Sequence, residues 1–270
     1  MVSSWEVQKS ELAALSRRDD FGLVCDMDGT LAPIVERPVE AAITPRNREL
    51  LNALVQELPL VAVVSGRGAA ALQDFVGIPG VVYAGNHGLE RWLDGEVRPA
   101  PGVAEHRPHL QQALDVLQEL VEEGIELEDK GATLSLHYRR HADPDDFAQR
   151  LAPTFAEIAD RYGLTLGGGR RVFEFRPPLA VDKGTALRDL IAEHDLGAAL
   201  FIGDDITDIA ALEMARSLRE AGACAAWGAA VQSAGAPAEV AATADFSVSE
   251  VAGVEDLLAW LLSARKASST

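Results

Sequence analysis

The stretch FGLVCDMDGTLAPI, residues 21–34, places two acids, Asp26 and Asp28, at the end of an apolar run. The run is apolar at consecutive positions, as in a strand of a parallel sheet that helices cover on both faces. Side chains two residues apart in an extended segment point to the same side, so we expect both carboxylates to converge just past the strand. Gly29 permits a tight turn there, and Thr30 adds a hydroxyl. Because neighbouring acids are costly to bury without a cation, and hard oxygen ligands suit Mg²⁺, the stretch predicts a magnesium site.

Other parts of the chain predict the fold around this stretch. Four more apolar runs are bounded by turn residues: LPLVAVVS, PGVVYAG, AALFIGD and AGACAAW. Amphipathic helices are predicted between several of them, one with Thr44 as N-cap and Pro45 at its first position, another with Asp182 as cap and Gly197 as its stop. Strand alternating with helix predicts a doubly wound α/β domain, whose chemistry lies at the carboxyl ends of its strands.

The middle of the chain predicts a separate insert. A hairpin turning at Asp94-Gly95 is followed, over residues 104–178, by a helix, two strands, a helix and a strand. We therefore predict a core domain in two parts, 1–103 and 179–270, with an α+β domain between them. The insert's strands alternate, so that Leu and Phe side chains point one way and Glu, His, Lys and Arg the other. On charge pattern alone, the second face is interpreted as a solvated sheet surface.

Composition limits the classes of partner. The 270 residues carry 24 Lys and Arg against 42 Asp and Glu, a formal charge of −18, which disfavours nucleic acid and anionic membranes. No apolar run is long enough for a transmembrane helix, and the first 20 residues lack the apolar centre of a signal peptide. We expect a cytoplasmic monomer that binds a small molecule. Cys25 and Cys224 fall in predicted buried strands and are interpreted as core residues.

Polar residues follow other predicted strands as well. ALFIGDDITD ends a buried strand with Asp204, Asp205 and Asp208, and VAVVSGR places Ser65 after another. AVDKG puts Lys183 at a helix N-terminus, where backbone amides favour an anion. A doubly wound topology would bring these groups beside the first two acids.

Over residues 21 to about 250, the chain resembles the haloacid-dehalogenase-like (HAD) phosphatases. The resemblance is carried by four motifs in the order DxDGT, SGR, DKG and GDDxTD. The resemblance implies a Rossmann-like HAD core with an inserted cap domain. It further implies that Asp26 is the nucleophile, forming an aspartyl-phosphate, and that Asp28 is the general acid and then base. Mg²⁺ would be held by the Asp26 carboxylate, the Asp28 main-chain carbonyl and Asp204. Ser65 and Lys183 would bind phosphoryl oxygens, while Asp205 and Asp208 would orient Lys183 or metal-bound water.

Within that superfamily the chain most resembles the trehalose-6-phosphate phosphatase family. The matching segments are DMDGTLAPI, GNHGLE at 85–90, LEDKGATLSLHYR, VFEFRPPLAVDKG and GDDITD. The resemblance implies Mg²⁺-dependent hydrolysis of trehalose 6-phosphate to trehalose and phosphate, with the insert's polar face as a sugar-recognition surface. The implied substrate-binding residues are Ser65, Gly66, Arg67, Asn86, His87, Gly88, Glu128, Lys130, Arg139 and Glu174. One departure is Ile209, which stands where the family has an acid.

Other functions fit parts of the same pattern. A different capped phosphatase, acting on sucrose phosphate or a glycosylglycerate phosphate, would share every catalytic residue. A hexose phosphomutase is a further alternative, which a requirement for a bisphosphate activator would reveal. A non-catalytic sugar-phosphate sensor would not need a second acid at Asp28. A nucleotide-binding dehydrogenase, prompted by SGRGAAA, lacks the full G-x-G-x-x-G motif. The hypothesis of a moving cap places hinges near 99–102 and 177–178.

Overall fold

The computed structural model describes residues 2–35, 37–169 and 171–267. The chain forms two compact units, one made of Met1–Glu96 with Val181–Thr270 and the other of Val97–Ala180. The predicted insert, 104–178, lies within the second unit. Among the described residues, no helix combines the length and the apolar character that crossing a membrane requires.

The secondary structure alternates as expected in the first unit and departs from alternation in the second. In chain order the strands are β1 (Phe21–Cys25), β2 (Leu60–Val64), β3 (Val82–Gly85), β4 (Glu90–Leu93), β5 (Glu96–Pro99), β6 (Glu126–Asp129), β7 (Leu134–His137), β8 (Thr165–Gly169), β9 (Val172–Arg176), β10 (Ala198–Gly203), β11 (Ala225–Gln232) and β12 (Phe246–Ser249). The helices are α1 (Lys9–Ser16), α2 (Pro45–Val55), α3 (Ala69–Val76), α4 (Val103–Gln118), α5 (Pro144–Arg161), α6 (Lys183–Glu193), α7 (Ile209–Glu220), α8 (Ala238–Thr243) and α9 (Glu250–Lys266).

The main sheet has the order β12-β11-β10-β1-β2-β3-β4-β5 in the described part of the chain. Its pairs from β12 to β3 are parallel, and β3 pairs with β4 in the antiparallel sense. Every residue of β1, β2 and β10 is buried. Successive β1 residues contribute to two apolar clusters, with Leu23 in the cluster that includes residues of α1, α2, α3 and α9, and Val24 in the one that includes residues of α6, α7 and α8. These two covered faces confirm the doubly wound core.

Local sequence signals account for several ends of these elements. The Thr44 side chain accepts a hydrogen bond from Asn47 N at the start of α2, as predicted. Asp182 caps α6 in the same way. The predicted stop at Gly197 is wrong, because α6 ends at Glu193 and the connection to β10 contains Asp195 in the left-handed region. The turn at Asp94-Gly95 has φ of 54° and 85°, the geometry of a tight hairpin.

Both cysteines are free thiols in the core. Cys25 ends β1, but Cys224 lies one residue before β11, not within a strand. Burial raises the pKa of the Cys25 thiol, and that of Cys224 to about 11, so both stay protonated at neutral pH. The interpretation of these residues as small core side chains accords with that burial.

The second unit is a sheet of order β6-β7-β9-β8 with α4 and α5, and its neighbouring strands are antiparallel. Its core contains Leu134 and Leu136 of β7 and Phe147 and Phe155 of α5. Strand β8 was not predicted: the glycine-rich composition of GGGRR at 167–171 predicts a turn, but residues 167–169 pair with β9 instead. Glycine has a low intrinsic strand propensity, and the antiparallel partner overrides it. Arg170, which belongs to the predicted turn, lies outside the described residues.

The polar face of this sheet is only partly solvated. His137 and Glu128 lie at its more open side, where His137 Nε2 is 3.0 Å from Glu128 Oε2. Ser135 and Glu174, which are directly paired in register, are buried. The interpretation of this face as a solvated surface is therefore wrong at its centre, where Lys130 Nζ donates to Glu174 Oε1 over 3.4 Å.

The aromatic cluster in α5 and β9 leads to a stability prediction. Phe155 is fully buried, and its ring centroid lies 5.0 Å from that of Phe173 and 6.0 Å from that of Phe175. We expect Phe155→Ala to lower the free energy of unfolding by about 3–5 kcal/mol, since it leaves a cavity. Val121→Ala, at an exposed position, serves as control and should change it by less than about 0.5 kcal/mol.

Urea titration followed by far-UV circular dichroism measures this effect. Tryptophan fluorescence would not report on the second unit, because all four tryptophans lie outside it: Trp5, Trp92, Trp227 and Trp260. A loss no larger than that of the control would contradict the prediction.

Candidate active site

Adjacent parallel strands bring two acids to one edge of the main sheet. Cys25 at the end of β1 is in register with Ile202 of β10, and Asp26 N donates to Ile202 O at 2.8 Å. Asp26 follows β1 directly, and Asp204 follows β10 in the same way. The carboxyl ends of the two strands therefore place both side chains together, as the sequence predicts.

Three carboxylates and one ammonium form a buried cluster at this edge. Asp26, Asp204 and Asp208 each offer an oxygen within 4.8 Å of the others, and all three side chains are buried. Lys183, the first residue of α6, donates from Nζ to Asp26 Oδ1 at 2.7 Å and to Asp208 Oδ1 at 2.6 Å. With three acids and one base, the cluster carries an excess of negative charge when every group is ionised.

The charges in the cluster perturb one another. Burial raises the pKa of the Asp26 carboxyl well above its usual range; Lys183 opposes this effect, while Asp208 and Asp204 add to it. Burial disfavours the charged form of Lys183, but Asp208 and Asp26 outweigh that cost and raise its pKa. The lysine therefore stays protonated, and the charge still to be compensated belongs to the carboxylates.

The donor set of the cluster fits a divalent cation. Carboxylate oxygens are ligands that Mg²⁺ prefers, and a cation of charge two would offset the excess of acids. Gly29, with φ of 85°, lies so close to Asp204 that a Cβ on it would be 2.6 Å from Asp204 Oδ1. The backbone that follows Asp28 thus runs directly against the Asp204 carboxylate, and no side chain can fill that space.

Asp208 has a different function from the other two acids. Its Oδ1 accepts from Lys183, and its Oδ2 accepts from the amides of Asp204 and Asp205 at 3.0 and 2.9 Å. Both oxygens are therefore already used in holding the lysine and the loop. The sequence resemblance implied that Asp208 orients Lys183 or metal-bound water, but it did not identify these hydrogen bonds. Ile209, at the departure from the family pattern, begins α7 and packs against the core.

The Asp28 side chain is directed to a different partner from Asp26. Arg67 donates from Nε to Asp28 Oδ2 at 2.6 Å and from Nη2 to Asp28 Oδ1 at 2.8 Å, a bidentate pair. The guanidinium also lies 4.6 Å from the centroid of the Phe75 ring. This pairing was not predicted, because Arg67 was assigned to substrate and no sequence spacing links the two residues.

The remaining predicted residues of the first unit lie in two neighbouring loops. Ser65, Gly66 and Arg67 follow β2, while Asn86, His87 and Gly88 follow β3. Because β2 and β3 are adjacent and parallel, the two loops are next to each other. Ser65 is buried, and its Oγ accepts from Arg67 N at 3.3 Å.

The predicted residues of the insert lie on its own sheet. Glu128 is in β6, Glu174 in β9, and Lys130 follows β6. Lys130 and Glu174 are brought together as an ion pair, while Arg139 lies in an exposed turn after β7. These four side chains therefore share one unit, and their role in binding stays a prediction.

Comparison with known proteins identifies relatives. A family model described as Trehalose-phosphatase matches residues 24–243. The chain is 36% identical over 211 residues to a trehalose-phosphate phosphatase of Mycobacterium marinum, covering 73% of this chain and 53% of that protein. It is 37% identical over 207 residues to an uncharacterized glycosyl hydrolase of Mycobacterium tuberculosis, covering 71% of this chain and 15% of that protein. The chain thus spans about half, or less, of the length of these relatives.

Solved structures share the fold. The C-terminal domain of a trehalose-6-phosphate phosphatase from C. albicans superposes with a TM-score of 0.77 at 22% identity, covering 97% of this chain and 98% of that one. A trehalose-6-phosphate phosphatase related protein gives 0.75 at 22% identity, covering 90% and 97%. At this identity, the match is one of fold.

The cluster leads to a prediction that needs no activity measurement. We expect Mg²⁺ to stabilise the protein, by about 1.4 kcal/mol at ten times its dissociation constant, because it binds the folded state only. Asp204→Asn should abolish the Mg²⁺-dependent rise in Tm without lowering Tm in its absence, since it removes a repelling charge. Asp189→Asn, at an exposed acid of α6 outside the cluster, is the matched control and should keep the rise.

Thermal unfolding with and without Mg²⁺, after treatment with a chelator, measures these shifts. An equal Mg²⁺-dependent rise in the wild type and in Asp204→Asn would place the metal elsewhere.

Proposed function

The chain belongs to the trehalose-phosphatase family, and from this membership we propose that it hydrolyses trehalose 6-phosphate to trehalose and inorganic phosphate. The observation that carries the proposal is the buried cluster of Asp26, Asp204 and Asp208 with Lys183 at the strand ends. Exposed acids are stabilised by water and need no buried lysine beside them. Burying three carboxylates costs free energy, and such clusters are typical of functional sites.

Asp26 is proposed as the nucleophile. Lys183 bonds its Oδ1, so that Oδ2 would attack phosphorus, forming a bond from Asp26 to phosphorus while the bond from phosphorus to the sugar oxygen breaks. The leaving sugar alkoxide takes a proton from Asp28. In the second step a water molecule gives a proton to Asp28 and attacks phosphorus, and the bond to Asp26 breaks. The sum is ester plus water giving trehalose and phosphate.

The exposure of Asp28 suits the acid and base role. Its side chain is 35% exposed, against 5% for Asp26, so it can exchange protons with water and substrate. Both of its oxygens accept from the Arg67 guanidinium in this structure, so the pair has to open before Asp28 can carry a proton to the leaving group. Arg67 would then bind a phosphoryl oxygen of the ester.

Lys183, Ser65 and a metal ion are proposed to stabilise the negative charge of the phosphoryl oxygens. Lys183 Nζ and Ser65 Oγ would donate to its oxygens. Mg²⁺ would be held by the carboxylates of Asp26 and Asp204 and the main-chain carbonyl of Asp28, since both oxygens of Asp208 are engaged. When bound, it would lower the repulsion between the nucleophile and the anionic ester.

Sugar recognition is assigned to the insert. Glu128, Lys130, Arg139 and Glu174 offer both donors and acceptors, which sugar hydroxyls require. Glu174 is buried beside Lys130, so its carboxylate is held in one orientation for a hydrogen bond. A sucrose phosphate or glycosylglycerate phosphate phosphatase would differ at these positions, not at the cluster.

The catalytic roles can be tested by neutralising one acid at a time. Asp26→Asn should lower kcat at least about a thousandfold, and Asp28→Asn about 10²- to 10⁴-fold, because the first removes the nucleophile and the second the proton donor. Asp189→Asn, an exposed acid of α6, is the control and should leave kcat unchanged. Turnover by Asp28→Asn equal to that of the wild type would refute its role.

A panel of phosphate esters tests the substrate. With Mg²⁺ present, phosphate release from trehalose 6-phosphate should have a higher kcat/KM than release from sucrose 6-phosphate or glucose 6-phosphate. Preference for either of the last two would overturn the substrate assignment while leaving the phosphatase chemistry in place.

The insert can be tested apart from the cluster. We expect Glu174→Gln to raise KM for trehalose 6-phosphate about 10- to 100-fold, since it weakens a charged hydrogen bond to the sugar. Its kcat/KM for p-nitrophenyl phosphate, which has no sugar, should stay within about twofold. Glu157→Gln, at an exposed acid of α5, is the control. Equal losses on both substrates would contradict a sugar-binding role.

A further inference from the structure

Glu90 is a buried carboxylate that the proposed mechanism does not use. It is the first residue of β4, and its Oε1 accepts from Ala69 N at 2.6 Å. Ala69 is the first residue of α3, whose N-cap, Gly68, has no side chain to accept from the free amides. Glu90 therefore supplies, from another strand, the acceptor and the negative charge that this helix start favours.

The residues just before Glu90 adopt a strained conformation. Asn86, His87 and Gly88 all have positive φ, of 49°, 58° and 102°. Two consecutive non-glycine residues in the left-handed region are costly, and such strain persists only where the surroundings enforce it. In this segment the strain is therefore held by specific contacts.

Those contacts reach the loop that carries Ser65 and Arg67. Asn86 N donates to Arg67 O at 2.7 Å, and His87 N donates to Ser65 O at 2.9 Å. The His87 ring lies against Gly66, whose Cβ, if present, would be 2.7 Å from the ring. With the bond from Ala69 N to Glu90, the segment 86–90 holds the loop 65–69 at three points along its length.

The same segment also touches the helix that carries Lys183. A Cβ on Gly88 would lie 2.9 Å from Ala186 Cβ and 3.3 Å from Asp182 O. Gly88 therefore packs against the first turn of α6. Segment 86–90 thus lies between the serine loop and the lysine helix, the two elements assigned to phosphoryl oxygens.

We propose that Glu90 is a positioning residue that fixes the loop Ser65–Arg67 in the geometry that binds the phosphoryl group. The inference rests on the proposed phosphatase function. Loop 65–69 has a glycine on each side of Arg67, Gly66 and Gly68, so its backbone gains conformational freedom when the bond from Ala69 N to Glu90 is lost. Since a displacement of about 1 Å can cost about a hundredfold in rate, the anchor has a measurable effect although it does not touch substrate.

Three substitutions separate positioning from a purely structural role. Glu90→Asp withdraws the carboxylate by one methylene, Glu90→Gln keeps an oxygen at the same reach, and Glu90→Ala removes it. Glu96→Ala, an exposed acid of β5, is the control. The readouts are Tm, kcat and KM for trehalose 6-phosphate, and the dissociation constant of inorganic phosphate measured by calorimetry with Mg²⁺.

We expect Glu90→Asp and Glu90→Ala to raise KM and the phosphate dissociation constant together, about tenfold or more. Glu90→Gln should recover both to within about threefold of the wild type, and Glu96→Ala should change neither. A fall in Tm for Glu90→Asp, with KM and phosphate affinity within twofold, would overturn the inference. The Asp and Gln variants keep it testable if Glu90→Ala does not fold.

The phosphate measurement also separates this inference from the proposed function. Unaltered phosphate affinity in Glu90→Asp, with an active wild type, would refute the positioning role alone. A wild type that neither binds inorganic phosphate nor hydrolyses any ester of the panel would overturn both.

Discussion

The ammonium of Lys183, bonded between Asp26 and Asp208, is the interaction on which the rest of the site depends. It compensates part of the charge of three acids that the sheet would otherwise bury together. Lys183 and Asp26 are 157 positions apart in the chain, so the pair exists only because β1 and β10 are neighbours and α6 begins beside them. The topology of the sheet therefore determines which charged groups the cluster brings together.

Around this pair each neighbouring loop contributes one restraint. Asp208 is held by two backbone amides, Asp28 by a guanidinium, and the serine loop by the strained turn after β3. Most of these restraints use main-chain groups, whose positions the strand ends determine. A site built in this way is preorganised, because its groups need little rearrangement when charge develops.

The core of the fold and the cluster were predictable because they follow from local rules. Consecutive apolar residues in β1 and β10 required burial on both faces, and adjacent strand ends then had to bring Asp26 and Asp204 together. The caps at Thr44 and Asp182 follow from side-chain chemistry within three residues. Each of these predictions depends on short-range spacing or on a single topological rule.

What was missed depends on contacts between distant segments. No sequence spacing indicates that Arg67 pairs with Asp28 or that Glu90 caps α3. Strand propensities do not predict a strand for the glycines at 167–169. The burial of Ser135 and Glu174 likewise arises from pairing between β7 and β9. The predicted cytoplasmic location and monomeric state stay predictions.

The position of β1 between β2 and β10 has a consequence for synthesis. As the nascent chain leaves the ribosome, β1 and β2 can pair early, but the other edge of β1 has no partner until residues 198–203 emerge. While residues 65–197 are translated, an entirely apolar strand therefore presents open backbone groups to its surroundings. The intervening unit can bury its own phenylalanine core in that interval, so a chaperone would have to protect the first half of the molecule and not the middle.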